Sequence, residues 1–202
     1  MFDGEPFPRG SLSSYYSSST REVFVGTLSA TAVFLITYKV VTRSLDNTLS
    51  WMAGMAVLLV AIFPTGRPSR TLALTPIQDR LGESVVQAIH FSGAFVFIAA
   101  LAVICWFFGV REGKRDTRPH KRSPRFWRNF HWTCAGVIAG SLAFIGITAL
   151  AGGPDKALLI GETLSVWAFG ISWLMKGLEL DYLRTTERVP SAAATAEQAS
   201  AA

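Results

Sequence analysis

"VVQAIHFSGAFVFIAALAVICWFFGV", residues 85–110, decides how the rest of the chain is read. It exceeds the ~20 residues that carry a helix across a ~30 Å hydrocarbon layer, and it contains no Asp, Glu, Lys or Arg. Working outward, four more apolar blocks approach or exceed that length, at 23–41, 49–66, 130–151 and 157–176. The composition agrees: 50% of the residues are hydrophobic and only 16% charged, where a soluble domain carries about a quarter. The expected fold is therefore an all-α polytopic membrane bundle of five transmembrane helices. A polar Ser/Tyr-rich tail (1–22) precedes the membrane domain (23–182), and a low-complexity Ala/Ser tail (183–202) is expected to be disordered. The first 22 residues have neither a basic n-region nor an apolar h-region, so this tail is expected to remain in the mature protein.

Loop charge sets the orientation. The segment "REGKRDTRPHKRSPRFWR" (111–128) alone holds eight Lys and Arg. With alternating sides, thirteen basic residues fall on one face of the membrane and six on the other. Cytoplasmic loops are the ones enriched in Lys and Arg, so the N-terminus is expected outside and the C-terminus inside. The net charge of +5 is then mostly one juxtamembrane loop, which suits anionic lipid headgroups and excludes nucleic acid as the partner. The prolines in "RPHKRSPR" predict an extended connection.

Polar residues at membrane depth are the functional candidates, because ionisable groups there are expensive and face the bundle interior or water. Toward the outside lie His90 and Ser92 in the third span and Glu162 in the fifth, with Arg21 and Thr65 of "FPTG" nearby. His90 and Glu162 with Arg21 could form a small outward polar site, holding a metal ion, relaying a proton or binding a headgroup. Ser92 could serve His90 as a nucleophile. Toward the inside lie Lys39, Asp46, Asn47, Lys176 and Glu179. Lys176 is expected to snorkel to the headgroups, with Glu179 one turn away. Glu162 and Lys176, 14 residues apart, share one side of the fifth helix, which is expected to face the bundle.

The fourth span offers Gly136 and Gly140, four apart, and such small residues let helices approach closely. Packing inside the bundle is the expected use. Cys105 and Cys134 lie within spans, and no disulfide framework is indicated. His90, His120 and His131 do not form a three-histidine zinc site, since the first belongs to the opposite face. No CxxC, HExxH, GxSxG or GxxxxGK[ST] motif occurs.

"STREVFVGTL", "AIFPTG", "VVQAIHFSGAFVF" and "FGISWLMKG" resemble an uncharacterised family of bacterial multi-span membrane proteins. That resemblance implies a bacterial inner or plasma membrane protein and carries no activity with it. More distantly the chain is similar to the alkaline-ceramidase-like membrane hydrolases, which use several histidines with a serine and an aspartate around a metal. This chain has one histidine on the relevant side and five spans where seven are usual.

The leading expectation is a small membrane protein that binds lipid, a small ligand or a partner protein, with no resident cofactor. Two alternatives stay open. One is a membrane-embedded lipid hydrolase or transferase using His90 and Glu162, with a single metal ion. The other is an accessory subunit of a transporter or membrane complex.

Overall fold

A computed structural model describes residues 8–37, 45–67, 72–112, 123–154 and 156–187. A 3-10 helix at Ser13–Ser17 is followed by α1 (Arg21–Thr37), α2 (Leu45–Ile62), the short α3 (Pro76–Leu81), α4 (Glu83–Glu112), α5 (Pro124–Ala151) and α6 (Ala157–Glu187). The described residues contain no strand. Helices α4, α5 and the Ala157–Leu178 part of α6 are each long and apolar enough to cross a membrane.

The helix ends follow local chemistry. α2 stops ahead of Pro64, whose ring would clash with the preceding turn. α3 is opened by a capping box, in which Thr75 and Gln78 satisfy each other's backbone donors and Pro76 takes the first turn. α5 opens the same way: the Ser123 side chain accepts from Phe126 N–H and Pro124 occupies the first turn. The expectation of an extended connection across "RPHKRSPR" is thereby corrected at its end, because a proline at the first helical position starts a helix. Arg125 and Arg128 are helical. α5 closes on Gly152, left-handed at φ 70°, and Gly153 N–H returns to Thr148 O at 2.8 Å. α6 continues beyond Lys176 to Glu187, well into the segment expected to be a disordered tail.

Each long helix packs against the next in the order α1, α2, α4, α5, α6, with α4 also touching α6. Neighbours run antiparallel: Gly93 meets Ala56 and Val60, while His90, earlier in α4, meets Phe63, later in α2. A glycine sits at each of these four crossings. A Cβ on Gly54 would lie 2.9 Å from Ala32 O, on Gly93 3.0 Å from Ala56 O, on Gly109 3.0 Å from Arg128 O, and on Gly161 3.2 Å from Ser141 O. Such close backbone approach supplies the dispersion energy that burial cannot supply between helices in lipid. Gly136 and Gly140, expected to do this, do not: both are exposed, and nothing would meet a Cβ on either. The face of α5 that packs carries His131, Cys134, Ala135, Ile138 and Ser141 instead.

The flanks of the bundle are apolar. Leu150 is 92% and Trp167 66% exposed, with Val23, Val33, Ile147 and Leu174 also bare. A water-soluble surface does not carry so much contiguous apolar area. Inside, Ile98, Leu101 and Cys105 of α4 pack on Cys134, Ala135 and Ile138 of α5. Leu35, Ala53 and Ala100 join them to Phe97, Phe169 and Trp173 at the centre.

Candidate functional site

Polar side chains collect at both ends of the bundle. At the end bearing the N-terminal tail, Glu162 lies in the second turn of α6 and is buried. Its carboxylate accepts from the Leu12 backbone N–H at 2.6 Å and from Ser13 Oγ at 3.2 Å. A third bond, Leu159 N–H to Gly10 O at 3.0 Å, fixes the tail against the same helix. Leaving a buried carboxylate without partners would be costly, and the cap of the 3-10 helix (Leu12 N–H) and its first residue (Ser13 Oγ) meet that demand.

Arg21 and His90 are served by other elements. An Arg21 N–H donates to Tyr16 Oη at 2.8 Å, and the guanidinium lies 4.5 Å above the same ring. His90 is fully buried, with Nδ1 2.6 Å from Phe63 O. A carbonyl can only accept, so Nδ1 carries the proton. His90 Nε2 is buried and has no hydrogen-bond partner among the described residues. His90 thus ties α4 to the end of α2. Among the described residues no hydrogen bond or ion pair joins His90, Glu162 and Arg21 to one another. Ser92 is exposed where His90 is buried, so the two face different ways on α4.

Two cavities flank α1 at this end. One, of about 250 Å³ and of mixed polar and apolar lining, lies between the 3-10 helix, Arg21, the 64–67 loop and the start of α3; Thr65 lines it with Arg21 and Arg67. The other, of about 370 Å³, is an apolar groove between α1 and α6, lined by Tyr15, Val23, Phe24, Leu28, Phe97 and Val166. A smaller pocket of about 70 Å³ shares Leu12, Phe24, Leu28, Phe97 and Val166 with it and reaches Ser13 and Glu162. The groove exists because the described parts of α1 and α6 never bring Cα atoms within 8 Å of each other. Further along, Phe34 and Trp173 bridge the two helices edge to face, their centroids 5.5 Å apart.

The opposite end holds a denser polar cluster than the sequence suggests. Lys176 Nζ and the Glu112 carboxylate form a buried salt bridge between α6 and α4. The expectation that Lys176 snorkels outward is corrected: its side chain turns into the bundle because Glu112, the last residue of α4, is there to neutralise it. One turn deeper, His131 Nδ1 lies 2.8 Å from Ser172 Oγ, both buried. Cys105 is fully buried on α4. Ser172 and Lys176 are four apart on α6, and Cys105 and Glu112 seven apart on α4. That helical spacing was the available signal for a shared face. Asn47 is half-buried in the first turn of α2. Lys39, and the side chains of Asp46 and Glu179, lie outside the described residues, as does His120.

Among the described residues no three His, Cys, Asp or Glu side chains gather as metal ligands. Both cysteines are free and buried. Comparison with family models, with curated proteins and with solved structures found no match.

Proposed function

We propose that the chain is a five-span integral membrane protein of the plasma membrane, N-terminus outside, that binds one acyl chain of a membrane lipid in the groove between α1 and α6. The observation that carries this reading is the groove itself. It is almost wholly apolar and is lined by Val23, Phe24 and Leu28 of α1, Phe97 of α4 and Val166 of α6, and Val23 is 69% exposed. On this reading it lies within the hydrocarbon layer, where water would lose hydrogen bonds and an acyl chain loses none. The tail residues Leu12 and Tyr15 also line it, and the smaller pocket that shares Leu12, Phe24, Leu28, Phe97 and Val166 with it reaches the buried Glu162.

The α1 and α2 helices would complete the five spans. Their 17 and 18 residues reach about 26 Å at 1.5 Å per residue, nearly the thickness of the hydrocarbon layer. The basic 111–128 segment would face the cytoplasmic headgroups. A hydrolase or transferase built on His90 and Glu162 draws less support, because each side chain is engaged by a different element.

The test uses a phospholipid carrying a photoreactive group midway along one acyl chain, with the protein in nanodiscs. Labelling should concentrate on the α1 and α6 residues that line the groove, and Val166→Trp should suppress it. Even labelling of every lipid-facing flank, unchanged by Val166→Trp, would sink the proposal. Orientation is read from a cysteine placed at Thr117, which an impermeant reagent should reach only from the cytoplasmic side.

A further inference from the structure

The geometry points to a second, independent site: the 250 Å³ cavity beside Arg21, of mixed polar and apolar lining, binds a phosphate group. Its wall is rich in donors and, among the described residues, free of carboxylates. It includes the Arg21 and Arg67 side chains, the hydroxyls of Ser17 and Thr65, and the phenol of Tyr16. A guanidinium carries five N–H donors in a planar fork suited to phosphate oxygens. Arg21 shows one of its donors in use, on Tyr16 Oη. Arg67 shows three in use, on Glu83 and on Leu72 O.

One carboxylate, Glu83, bonds a cavity-lining residue. Glu83 grips Arg67 through both oxygens, Nε to Oε1 at 3.3 Å and a terminal N–H to Oε2 at 3.1 Å, and it also accepts the Arg67 backbone N–H at 2.8 Å. This fixes the Arg67 guanidinium in the cavity wall and offsets its charge. Arg21 has no such counter-ion among the cavity-lining residues, so the cavity keeps a net positive charge at the Arg21 side. The remaining polar wall is held by internal bonds. Gln78 donates to Thr65 O at 3.1 Å and closes the capping box with Thr75, which ties the 64–67 loop to α3. A wall held by its own bonds leaves the arginine donors to meet an anion with less ordering on binding.

Phosphate chemistry has two sources here, a phospholipid headgroup and the free anion. The full chain, purified in an uncharged maltoside detergent, is titrated by calorimetry with inorganic phosphate, with dihexanoyl phosphatidylglycerol and with dihexanoylglycerol, which lacks the phosphate. Binding of both phosphate-bearing probes supports the site and makes free phosphate a ligand. Binding of the phospholipid alone supports it and assigns a headgroup. In either case Arg21→Gln should weaken binding about tenfold or more, since a charge-assisted pair is lost, with Arg21→Lys between the two. Ser17→Glu places a carboxylate on the rim and should weaken binding similarly, which keeps the test decisive if Arg21→Gln fails to fold. The proposal is overturned if neither phosphate probe binds, if dihexanoylglycerol binds as tightly, or if both variants bind like the parent. Inorganic phosphate has no chain, so this outcome is separate from that of the acyl groove.

Discussion

Replacing Lys176 by Met, Glu112 by Met, or both at once should produce sharply non-additive losses of stability. Glu112 is wholly buried and Lys176 is 7% exposed, and the two side chains meet across α4 and α6. Removing one partner leaves a charge that water cannot reach, which costs about 3–5 kcal/mol in buried pairs. Each 1.4 kcal/mol is a factor of about ten, so the folding constant should fall by roughly two to three and a half orders of magnitude for either single change. The double variant removes both charges and keeps similar volume, and it should come within about 1–2 kcal/mol of the parent, because apolar replacements of buried pairs are often neutral. The assay is equilibrium unfolding in mixed micelles of graded denaturing detergent, run on all four proteins as one cycle. A snorkelling Lys176 would behave as an exposed ion pair instead, worth about 0–1 kcal/mol. Single variants within 1 kcal/mol of the parent, or losses that simply add, would refute the buried-pair reasoning.

Two further outcomes follow from the geometry. Gly93→Val should destabilise the bundle by about 1–3 kcal/mol or more, since its Cβ would press on Ala56 O at 3.0 Å. Gly136→Val should be nearly neutral in the same unfolding assay, because nothing lies within 4 Å of a Cβ there. At the other end, Glu162→Ala removes the acceptor for Leu12 N–H and Ser13 Oγ, a loss of about 1–3 kcal/mol for hydrogen bonds to a charged group. The tail should then become cleavable near residues 8–14 under mild proteolysis while α4 and α5 stay protected; a tail as resistant as the parent's would mean that Glu162 does not hold it.

The helices were legible because hydropathy along a span is local. Residues 85–110 declare a helix whatever they touch, and the structure extends it by only two residues at each end. The short α3 was not read from the sequence, although "TPIQ" at 75–78 carries the local signal of the capping box found there. The partnerships were not legible, because each depends on which faces meet. Glu112 lies 64 residues from Lys176 and reads in the sequence as one more charge of a polar loop. The Glu162 partners lie 149 and 150 residues away, and one of them is a backbone N–H, which no residue type announces. The glycines show the same limit. Spacing marks Gly136 and Gly140 as a pair, yet the rotation of α5 is set by the face bearing His131, Cys134, Ile138 and Ser141, and the glycines are left outside.

That rotation also explains why the bundle is closed on one side and open on the other. The buried face of α6 carries Glu162, Ser165, Ser172 and Lys176, successive residues three, seven and four apart along one stripe. Three of these side chains bond outside α6: Glu162 to the tail, Ser172 to α5 and Lys176 to α4. Ser165 bonds within the helix, to Gly161 O at 2.8 Å. In lipid, where apolar surfaces gain little by meeting, such bonds and close backbone crossings are what join helices. The α1 face opposite α6 offers neither. Thr31 Oγ1 donates to Thr27 O of its own helix at 2.8 Å, and Phe24 and Leu28 present only apolar surface. Phe34 of α1 meets Trp173 of α6 edge to face. The groove is therefore a consequence of α6 placing its polar groups toward α4, α5 and the tail while α1 lines it with Phe24 and Leu28.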